Sequence, residues 1–373
     1  MNDLSRIGFF EIFCFHKACG AKLFGGKDIS EYLCHQIIIY MMSDNSYTNM
    51  REMLMDCISD IQVRAGNTGV PGIPTGFQAL DDLIGGFEKG KVYVIGGRTC
   101  MGKEEFMLSM IKDIIMESGL PVLMFSTNHQ KADYVQRLLA IHCDIPVMRL
   151  FKGFLEPHEW DRLDKGAGVW VDAPLFMHDS LDLPLNELVE TARNCVRERN
   201  VQIIFIDCLQ MIDFLKEDDT PSDRVAKVML SLKQLARLTN VPIVVGSMLS
   251  RGIEYRDGIE GKRPQLMDLM NSSFIEGLAD VIIMVHRPEY YHIYQDDNGR
   301  DLHGRIEIIV KKNALKPLDR VFLDYDEKTG VIGVRKNTTK SSSNSVGLKE
   351  LSSGNEAVKK LIKTLDLKEE LPF

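Results

Sequence analysis

The sequence lacks several features that would place the protein in a specialised class. It has no excess of basic residues: 45 Lys and Arg stand against 53 Asp and Glu, for a net charge of −8. That balance excludes a global basic field, so any contact with nucleic acid must come from local loops. The eight cysteines form no regular framework, which predicts a reducing compartment rather than a disulfide-bonded scaffold. The apolar run at residues 37–42 is too short to cross a bilayer, and we expect no signal peptide. These absences predict a cytoplasmic protein without a membrane contact.

The first 45 residues show no clear hydrophobic period, and we interpret them as an appendage of unknown structure. Their cysteines and histidines match no standard zinc finger, so incidental residues are favoured over a metal site. The residues concerned are Cys14, His16, Cys19, Cys34 and His35. A true translation start at Met41 or Met42 is an alternative explanation for this segment.

From about residue 75 to residue 335, apolar strand patterns alternate with amphipathic helix patterns. Strands are predicted at 122–126, 201–207, 241–247 and 281–285, and helices at 131–143, 185–199 and 222–239. Segments 305–310, 320–325 and 331–335 are typical of a closing β-meander. Strands that alternate with helices favour an α/β fold, in which a mostly parallel sheet is covered on both faces.

Residues 97–104 have the pattern of a phosphate-binding loop except at the last position. In that pattern, backbone N–H groups at glycines surround the phosphates, Lys reaches the terminal phosphates, and Ser or Thr holds magnesium. The residues here are Gly97, Arg98, Thr99, Cys100, Met101, Gly102, Lys103 and Glu104. A predicted strand precedes the loop and a helix at 105–118 follows it, so the helix N-terminus points at the anion. The segment predicts a nucleotide site. Because Glu104 replaces the hydroxyl that would hold magnesium, the sequence leaves open whether the site hydrolyses its nucleotide.

A second acid, Asp207, ends the buried run at residues 201–206. An acid at such a strand end orients magnesium and water in nucleotide hydrolases. A surface acid at a strand end is the alternative, which the buried character of the preceding run disfavours.

The two ends of the chain carry further patterns. Residues 50–64 predict an amphipathic helix with one apolar stripe, followed by a turn-rich linker. Residues 337–347 are Ser-rich and predict a flexible linker to a short helix. The chain ends in Glu-Glu-Leu-Pro-Phe, where Pro372 and Phe373 resemble the acidic tip of bacterial single-stranded-DNA-binding proteins. In such a tip, the apolar terminal residue and the neighbouring acids dock on replication or repair proteins. An ordinary acidic terminus is the alternative.

Several blocks in order along the chain match one family. They stand at residues 72–77, 80–81, 85–86, 206–211, 247–251, 262–264, 268–269, 275–276, 279–281 and 287–291. In these blocks, and over residues 48–335, the chain resembles the RecA-like motor domain of DnaB-type replicative helicases.

The resemblance implies a RecA-like P-loop NTPase fold, with a mostly parallel central sheet, helices on both faces and a closing β-meander. It implies ATP and Mg²⁺ as ligands, six-subunit rings with nucleotide between subunits, and movement on single-stranded DNA. The chain then divides into the appendage at 1–45, a linker helix and linker at 46–70, the motor domain at 71–336 and a tail at 337–373. The helix predicted at 50–64 is similar to the family's linker helix, which docks on the adjacent subunit.

The resemblance also assigns roles, and several positions depart from the family's pattern. Asp207 and Gln210 match catalytic positions, whereas Asn128 replaces a Glu that activates water, and an amide accepts no proton. Glu104 replaces the magnesium-binding hydroxyl, so Asp207 and Glu104 are the predicted metal ligands. Met248 replaces a polar Gln. Asn313 stands where the family has an arginine finger for the neighbouring site, while Lys311 keeps one positive charge there.

In the family, loops after the strands at 201–207 and 241–247 line a DNA channel. The first loop here is acidic, whereas the second contains the cations Arg251, Arg256, Lys262 and Arg263. Such cations hold a phosphate backbone in a salt-dependent way. A solvated loop without a DNA contact is an equal alternative.

We therefore expect a DnaB-like, ATP-binding helicase homologue that acts in DNA replication, with weakened hydrolysis and a ring-assembly or regulatory role. Its ring is either homo-oligomeric or mixed with an active paralogue. An active 5′-to-3′ helicase with rewired catalytic groups is one alternative. A scaffold that forms no ring and works through its tail is the other.

Overall fold

The computed structural model describes residues 49–66, 69–181, 183–213, 220–296, 298–314 and 318–333. By internal contacts the chain divides into two units, residues 1–68 and residues 69–373. The described part of the first unit is helix α1, Met50–Gly66. Its apolar side chains are exposed, with 52% of Leu54 and 48% of Ile58 open to solvent. The Cys and His residues of the appendage and the C-terminal tail lie outside the described residues.

The second unit contains helices and strands in alternation. The helices are α2 (Gln78–Ile84), α3 (Lys103–Ser118), α4 (Lys131–Cys143), α5 (Val147–Lys152), α6 (Pro157–Trp170), α7 (Leu185–Arg199), α8 (Pro221–Thr239), α9 (Gly258–Lys262) and α10 (Ser272–Leu278). The strands are β1 (Val92–Gly97), β2 (Val122–Ser126), β3 (Leu175–Asp179), β4 (Leu183–Pro184), β5 (Ile203–Ile206), β6 (Ile212–Asp213), β7 (Ile243–Met248), β8 (Val281–His286), β9 (Arg305–Asn313), β10 (Arg320–Tyr325) and β11 (Ile332–Gly333). In the described segments, no helix is both long and apolar enough to span a bilayer.

Nine strands form one sheet in the order β11-β10-β9-β8-β1-β7-β5-β2-β3. The strands from β8 to β3 in this order run parallel, and β9, β10 and β11 add an antiparallel edge. The predicted mostly parallel sheet with a closing β-meander is therefore confirmed. β1 lies between β7 and β8 in the sheet. The loop that follows β1 opens at the carboxyl edge of the sheet, where ligands bind in such folds.

The core consists of two apolar clusters, one on each face of the sheet. Successive side chains of a strand point to opposite faces, so Tyr93 of β1 packs with α3, including Phe106, while Val94 packs with α8, including Leu232. Because both faces are covered, the central strands are buried along their whole length, which explains their uninterrupted apolar runs.

The residues that open the second unit fold back on themselves. Ile73 pairs with Phe87 in an antiparallel bridge, and the backbone N–H of Thr75 donates to the buried carboxylate of Asp81 at 2.9 Å. A Cβ atom on Gly72 would lie 2.5 Å from the backbone of Phe87, so this close approach requires glycine. The contacts of this folded-back segment thus explain why Gly72 and Asp81 stand where they do at the start of the domain.

Candidate nucleotide site

The predicted phosphate loop lies between β1 and α3. α3 begins at Lys103, directly after Gly102, whose φ of 84° lies in the left-handed region. Cys100 also has a positive φ, 64°, and its side chain is exposed, as is that of Thr99. The predicted order of strand, glycine turn and helix N-terminus is therefore present, and anion binding at this turn stays a prediction.

Two arginines hold this loop in place, Arg98 from within the loop and Arg287 from outside it. Arg98 Nε donates to Glu254 Oε1 at 3.0 Å, and Arg98 Nη1 donates to the carbonyl of Leu249 at 3.2 Å. Arg287 Nη1 lies 3.5 Å from the carbonyl oxygen of Cys100, and the same guanidinium is paired with Glu327. Arg98 thus links the loop to the segment after β7.

Lys103 and Asp207 lie together at the carboxyl ends of β1 and β5. Lys103 Nζ donates to the Asp207 carbonyl oxygen at 3.3 Å and lies 3.8 Å from Asp207 Oδ1. Asp207 is 1% exposed. A Cβ atom on Gly246 of β7 would lie 1.9 Å from the same carbonyl oxygen, so glycine is required where the strands converge. The structure therefore brings the predicted lysine and acid into one site.

Glu104 is contacted by Arg137 of α4 and by His129, which precedes that helix. Arg137 Nη1 donates to Glu104 Oε2 at 2.8 Å and to Glu105 Oε1 at 3.1 Å. His129 Nε2 lies 3.3 Å from Glu104 Oε2. Burial raises the pKa of Glu105, and the charge of Arg137 opposes this rise. Glu104, at the hydroxyl position of the pattern, is thus a member of an internal ion pair.

Tyr134, one turn before Arg137 on the same face of α4, contacts the other acid. Its hydroxyl donates a hydrogen bond to Asp207 Oδ2. Tyr134 is 1% exposed, and burial together with the Asp207 charge raises the pKa of its phenol. Tyr134 therefore remains a neutral donor, and one helix face supplies donors to both acids of the site.

The predicted catalytic residues Asn128 and Gln210 lie in different surroundings. Asn128 follows β2, is exposed, and its Nδ2 lies 3.2 Å from His129 Nε2. Gln210 bridges two strand ends, because its Nε2 donates to Ser247 Oγ at 2.9 Å and its Oε1 accepts from the Met248 backbone N–H at 3.0 Å. Gln210 thus connects the segment after β5 to β7 through the backbone of Met248 and not through its thioether.

The predicted metal ligands, Glu104 and Asp207, do not fit a Mg²⁺ ion in this arrangement. Mg²⁺ requires near-octahedral oxygen ligands at about 2.1 Å. Here Glu104 Oε2 accepts from a guanidinium, Asp207 Oδ2 accepts from a phenol, and Lys103 faces Asp207 Oδ1. Across the described segments, no group of three or more His, Cys, Asp and Glu side chains converges as a metal site would.

The residues predicted to reach a neighbouring site bond within their own chain. Lys311 Nζ donates to Gln265 Oε1 at 3.1 Å, and burial lowers the pKa of this lysine. Asn313 Nδ2 donates to the carbonyl of Leu83 at 3.2 Å. Both lie on β9, which starts the antiparallel edge of the sheet.

The four predicted DNA-binding cations fall into different environments. Arg263 is 4% exposed and is paired with the buried Glu307 at 2.9 Å. Arg256 is paired with Asp268 at 2.6 Å, and Lys262 Nζ donates to the Glu254 carbonyl at 2.8 Å. Arg251 is exposed. Arg263 thus belongs to the interior, and Arg251 is the member of the set most open to a phosphate.

Sequence reasoning missed the α4 residues Tyr134 and Arg137, the adjacent His129, and Gly246. The spacing of Tyr134 and Arg137, three apart in a predicted helix, places them on one face. Nothing in the sequence indicates that this face points at Asp207, because that contact joins residues 73 positions apart.

With the fold and site in view, comparison with known proteins identifies the family. The model of the DnaB-like helicase C terminal domain matches residues 72–332. The chain belongs to this family. The match spans the sheet and both acids of the site, so the resemblance drawn from the sequence blocks is confirmed.

Individual relatives agree with this assignment. The chain is 34% identical over 278 residues to the replicative DNA helicase DnaB of Treponema pallidum, covering 74% of this chain and 59% of that protein. It is 28% identical over 282 residues to the DnaB of Geobacillus stearothermophilus, covering 75% of this chain and 60% of that protein. The chain thus spans about 60% of the length of these relatives.

Solved structures agree on the fold. One, described as an ATPase domain, superposes with a TM-score of 0.70 at 24% identity and covers 78% of this chain and 100% of that domain. A DnaB-like replicative helicase, described with its interactions with primase, superposes with a TM-score of 0.69 at 23% identity and covers 87% of this chain and 73% of its own.

Proposed function

We propose that this chain is a DnaB-type ring subunit that binds nucleotide, hydrolyses it weakly, and acts in DNA replication through ring assembly or regulation. The binding half of this proposal is supported by the loop, in which Gly102, Lys103 and the N-terminus of α3 have the arrangement that holds phosphates. ATP is the proposed nucleotide because the chain belongs to a helicase family.

The observation that carries the weak-hydrolysis half is that both acids beside Lys103 are already bonded to donors from α4. Glu104 accepts from Arg137, and Asp207 accepts from Tyr134. An acid held by a neutral phenol and a lysine has fewer free lone pairs with which to orient an attacking water. Hydrolysis in the family's manner would require α4 to release both acids.

The position that would activate water supports the same conclusion. Asn128 offers an amide, which orients a water but takes no proton from it. A general base contributes about 10²–10⁴ in rate, so we expect its replacement by an amide to lower the rate by a similar factor.

The contact with a neighbouring subunit is also weakened in this proposal. A planar guanidinium in trans contributes about 10³–10⁵ in rate. The candidates here are Lys311, a half-buried amine bonded to Gln265, and Asn313, bonded to the Leu83 carbonyl. Lysine lacks the planar fork, and asparagine lacks the charge.

Assembly and partners complete the proposal. The exposed apolar side chains of α1, including Leu54 and Ile58, support docking on a neighbouring subunit of a homo-oligomeric or mixed ring. Single-stranded DNA is the proposed polymer in the ring, with Arg251 as the most accessible of the predicted contacts. The acidic Pro372-Phe373 tip is proposed to dock on replication or repair proteins.

The test is ATP hydrolysis by the purified protein, measured with and without single-stranded DNA, beside a Lys103→Ala control. We expect nucleotide binding that Lys103→Ala removes, together with turnover that is close to that of the control and is not stimulated by DNA. DNA-stimulated turnover that Lys103→Ala abolishes would instead make the protein an active helicase. The Gln210 link between Ser247 and Met248 is the feature that favours this second candidate, because it joins the ends of β5 and β7 across the site.

The mass of the protein in solution distinguishes the proposed ring subunit from the scaffold that forms no ring. We expect sedimentation to give a multiple of the monomer mass of 42.3 kDa in the presence of nucleotide. A monomer under all conditions would favour the scaffold that works through its tail.

A further inference from the structure

We propose that this site binds nucleotide without a divalent cation, because side chains of α4 take the places around Glu104 and Asp207 that a cation would need. The inference rests on the proposed nucleotide site and deepens it, since it specifies the ionic form of the ligand. The residues of this chain depart from the phosphate-loop pattern at Glu104, the position where a hydroxyl would hold the metal.

Glu104 is held in an ion pair with Arg137. Arg137 Nη1 stands 2.8 Å from Glu104 Oε2 and 3.1 Å from Glu105 Oε1, so one guanidinium serves two adjacent carboxylates. His129 Nε2 lies 3.3 Å from the same Glu104 oxygen. The Glu104 carboxylate therefore already has a cation beside it, and that cation is part of the protein.

Asp207 is likewise held, by a hydrogen bond from Tyr134. The Tyr134 hydroxyl donates to Oδ2, while Lys103 Nζ lies 3.8 Å from Oδ1. Tyr134 and Asp207 are each 1% exposed. Because a buried hydroxyl that loses its acceptor is costly, the phenol resists displacement from this acid.

The charge at Glu104 also opposes a second cation. A Mg²⁺ ion bound to Glu104 would stand close to the guanidinium of Arg137, which lies 2.8 Å from Glu104 Oε2, and like charges at such range repel. Mg²⁺ also gives up its water reluctantly and accepts little deviation from octahedral geometry. Entry of the ion would therefore require the loss of at least one α4 donor.

Phosphates would still find partners at this site. α3 has 16 residues, and its first turn follows the glycine loop, so free backbone N–H groups and the helix dipole face the anion. Lys103 adds an ammonium, which lies 3.3 Å from the Asp207 carbonyl oxygen. These groups bind phosphate without an intermediary ion.

The experiment is a binding titration of the full chain with a fluorescent ATP analogue, followed by anisotropy in millimolar Mg²⁺ and in EDTA. We expect the affinity in EDTA to be equal to or higher than that in Mg²⁺, because the protein must strip the ion from the complexed nucleotide. A wild-type affinity that falls by about tenfold or more in EDTA would overturn the inference.

A double variant tests the assigned residues. Glu104→Ser with Tyr134→Phe restores a hydroxyl to the loop and frees Asp207, so we expect its affinity to be about tenfold higher in Mg²⁺ than in EDTA. The matched control makes the same substitutions elsewhere, at the exposed Glu117 of α3 and at Tyr255, which is 85% exposed. That control is expected to behave as the wild type does. A double variant that folds but stays indifferent to Mg²⁺ would overturn the role given to these residues.

Failure of this inference is distinguishable from failure of the proposed function. Binding in Mg²⁺ that is lost in EDTA would overturn cation independence and leave the proposed nucleotide site intact. No binding under either condition would overturn both. The wild-type comparison decides the point even if the double variant does not fold, which circular dichroism would reveal.

Discussion

Arg263 and Glu307 form an ion pair inside the domain. Arg263 Nη2 lies 2.9 Å from Glu307 Oε1, and Arg263 Nε lies 2.9 Å from Glu307 Oε2, so the contact is bidentate. The two side chains are 4% and 0% exposed. The pair links the segment after α9 to the first half of β9, and therefore to the antiparallel edge of the sheet.

Substitution of Arg263 is expected to destabilise the protein. Arg263→Ala leaves the Glu307 carboxylate buried, with the Arg320 guanidinium 4.0 Å away. Loss of one partner from a buried pair costs about 3–5 kcal/mol, so the urea midpoint of unfolding should fall accordingly. Arg251→Ala is the matched control, because Arg251 is an exposed residue of the same predicted DNA-binding set. An Arg263→Ala protein as stable as the Arg251→Ala protein would contradict this account.

This pair also illustrates what the sequence does not reveal. The sequence predicts the same role for Arg251 and Arg263, because both are cations in one segment after β7. Whether a cation meets solvent or a carboxylate depends on the partner strand. Glu307 stands 44 positions further along the chain than Arg263, and no local pattern of charge indicates that the two meet.

The sequence predicts the sheet well where its strands are buried on both faces. β2 has its predicted bounds, since the apolar run Val122–Ser126 stands between turn residues. β3 and α6 are missed. β3 is a half-buried edge strand, and the buried residues of α6 are Glu159 and Gly166, so neither segment contains a run of buried apolar side chains. Hydrophobic patterns in a sequence indicate which segments are buried. They therefore do not identify elements at the margins of a sheet, where burial is only partial.

The site shows the same limit. The phosphate loop is found from the sequence because its residues are contiguous, and Asp207 is found because it ends a buried strand. The donors on α4 are missed because Arg137 reaches Glu104 over 33 positions. Helical spacing places Tyr134 and Arg137 on one face, but tertiary packing decides what this face contacts.

Cys100 provides a prediction about backbone strain. Its φ of 64° lies in the left-handed region, which costs a residue with a side chain about 1–2 kcal/mol relative to glycine. Since glycine also gains entropy in the unfolded chain, Cys100→Gly should stabilise the protein by roughly 0.5–1 kcal/mol net. The measurement is the urea midpoint of unfolding. Thr99→Gly is the control, because Thr99 is exposed and has no positive φ. Equal shifts in the two variants would show that Cys100 is not strained.

His286 provides a prediction about pH. This residue is 2% exposed at the end of β8, its Nε2 has no hydrogen-bond partner in the described part of the chain, and burial lowers its pKa to about 3. The unfolded chain binds the proton below about pH 6.5, whereas the folded chain does not bind it until about pH 3. Stability is therefore full above the unfolded pKa and falls as the pH falls, by roughly 1.4 kcal/mol per pH unit from this group.

The variant that checks this is His286→Leu. It removes the titrating group and a buried imidazole nitrogen, so we expect a shallower loss of unfolding free energy as the pH falls from neutral into the acid range. His158→Leu is the control, because the His158 side chain is 64% exposed. If the unfolding free energy of the His286→Leu protein falls with pH as steeply as that of the control, His286 is not the cause of the pH dependence.

The apolar face of α1 provides the last prediction, which concerns assembly. Ile58 is 48% exposed on a helix whose stripe also includes Leu54, 52% exposed. If this stripe docks on a neighbouring subunit, a charge placed in it must be desolvated on association. Ile58→Asp should therefore reduce the oligomer to smaller species in sedimentation velocity, with unchanged circular dichroism. Ser59→Asp is the matched control, since it adds the same charge about 100° further round the helix. A shift of both variants to monomer would indicate net charge as the cause. Two unshifted oligomers would place the subunit contact elsewhere and remove α1 from the proposed ring interface.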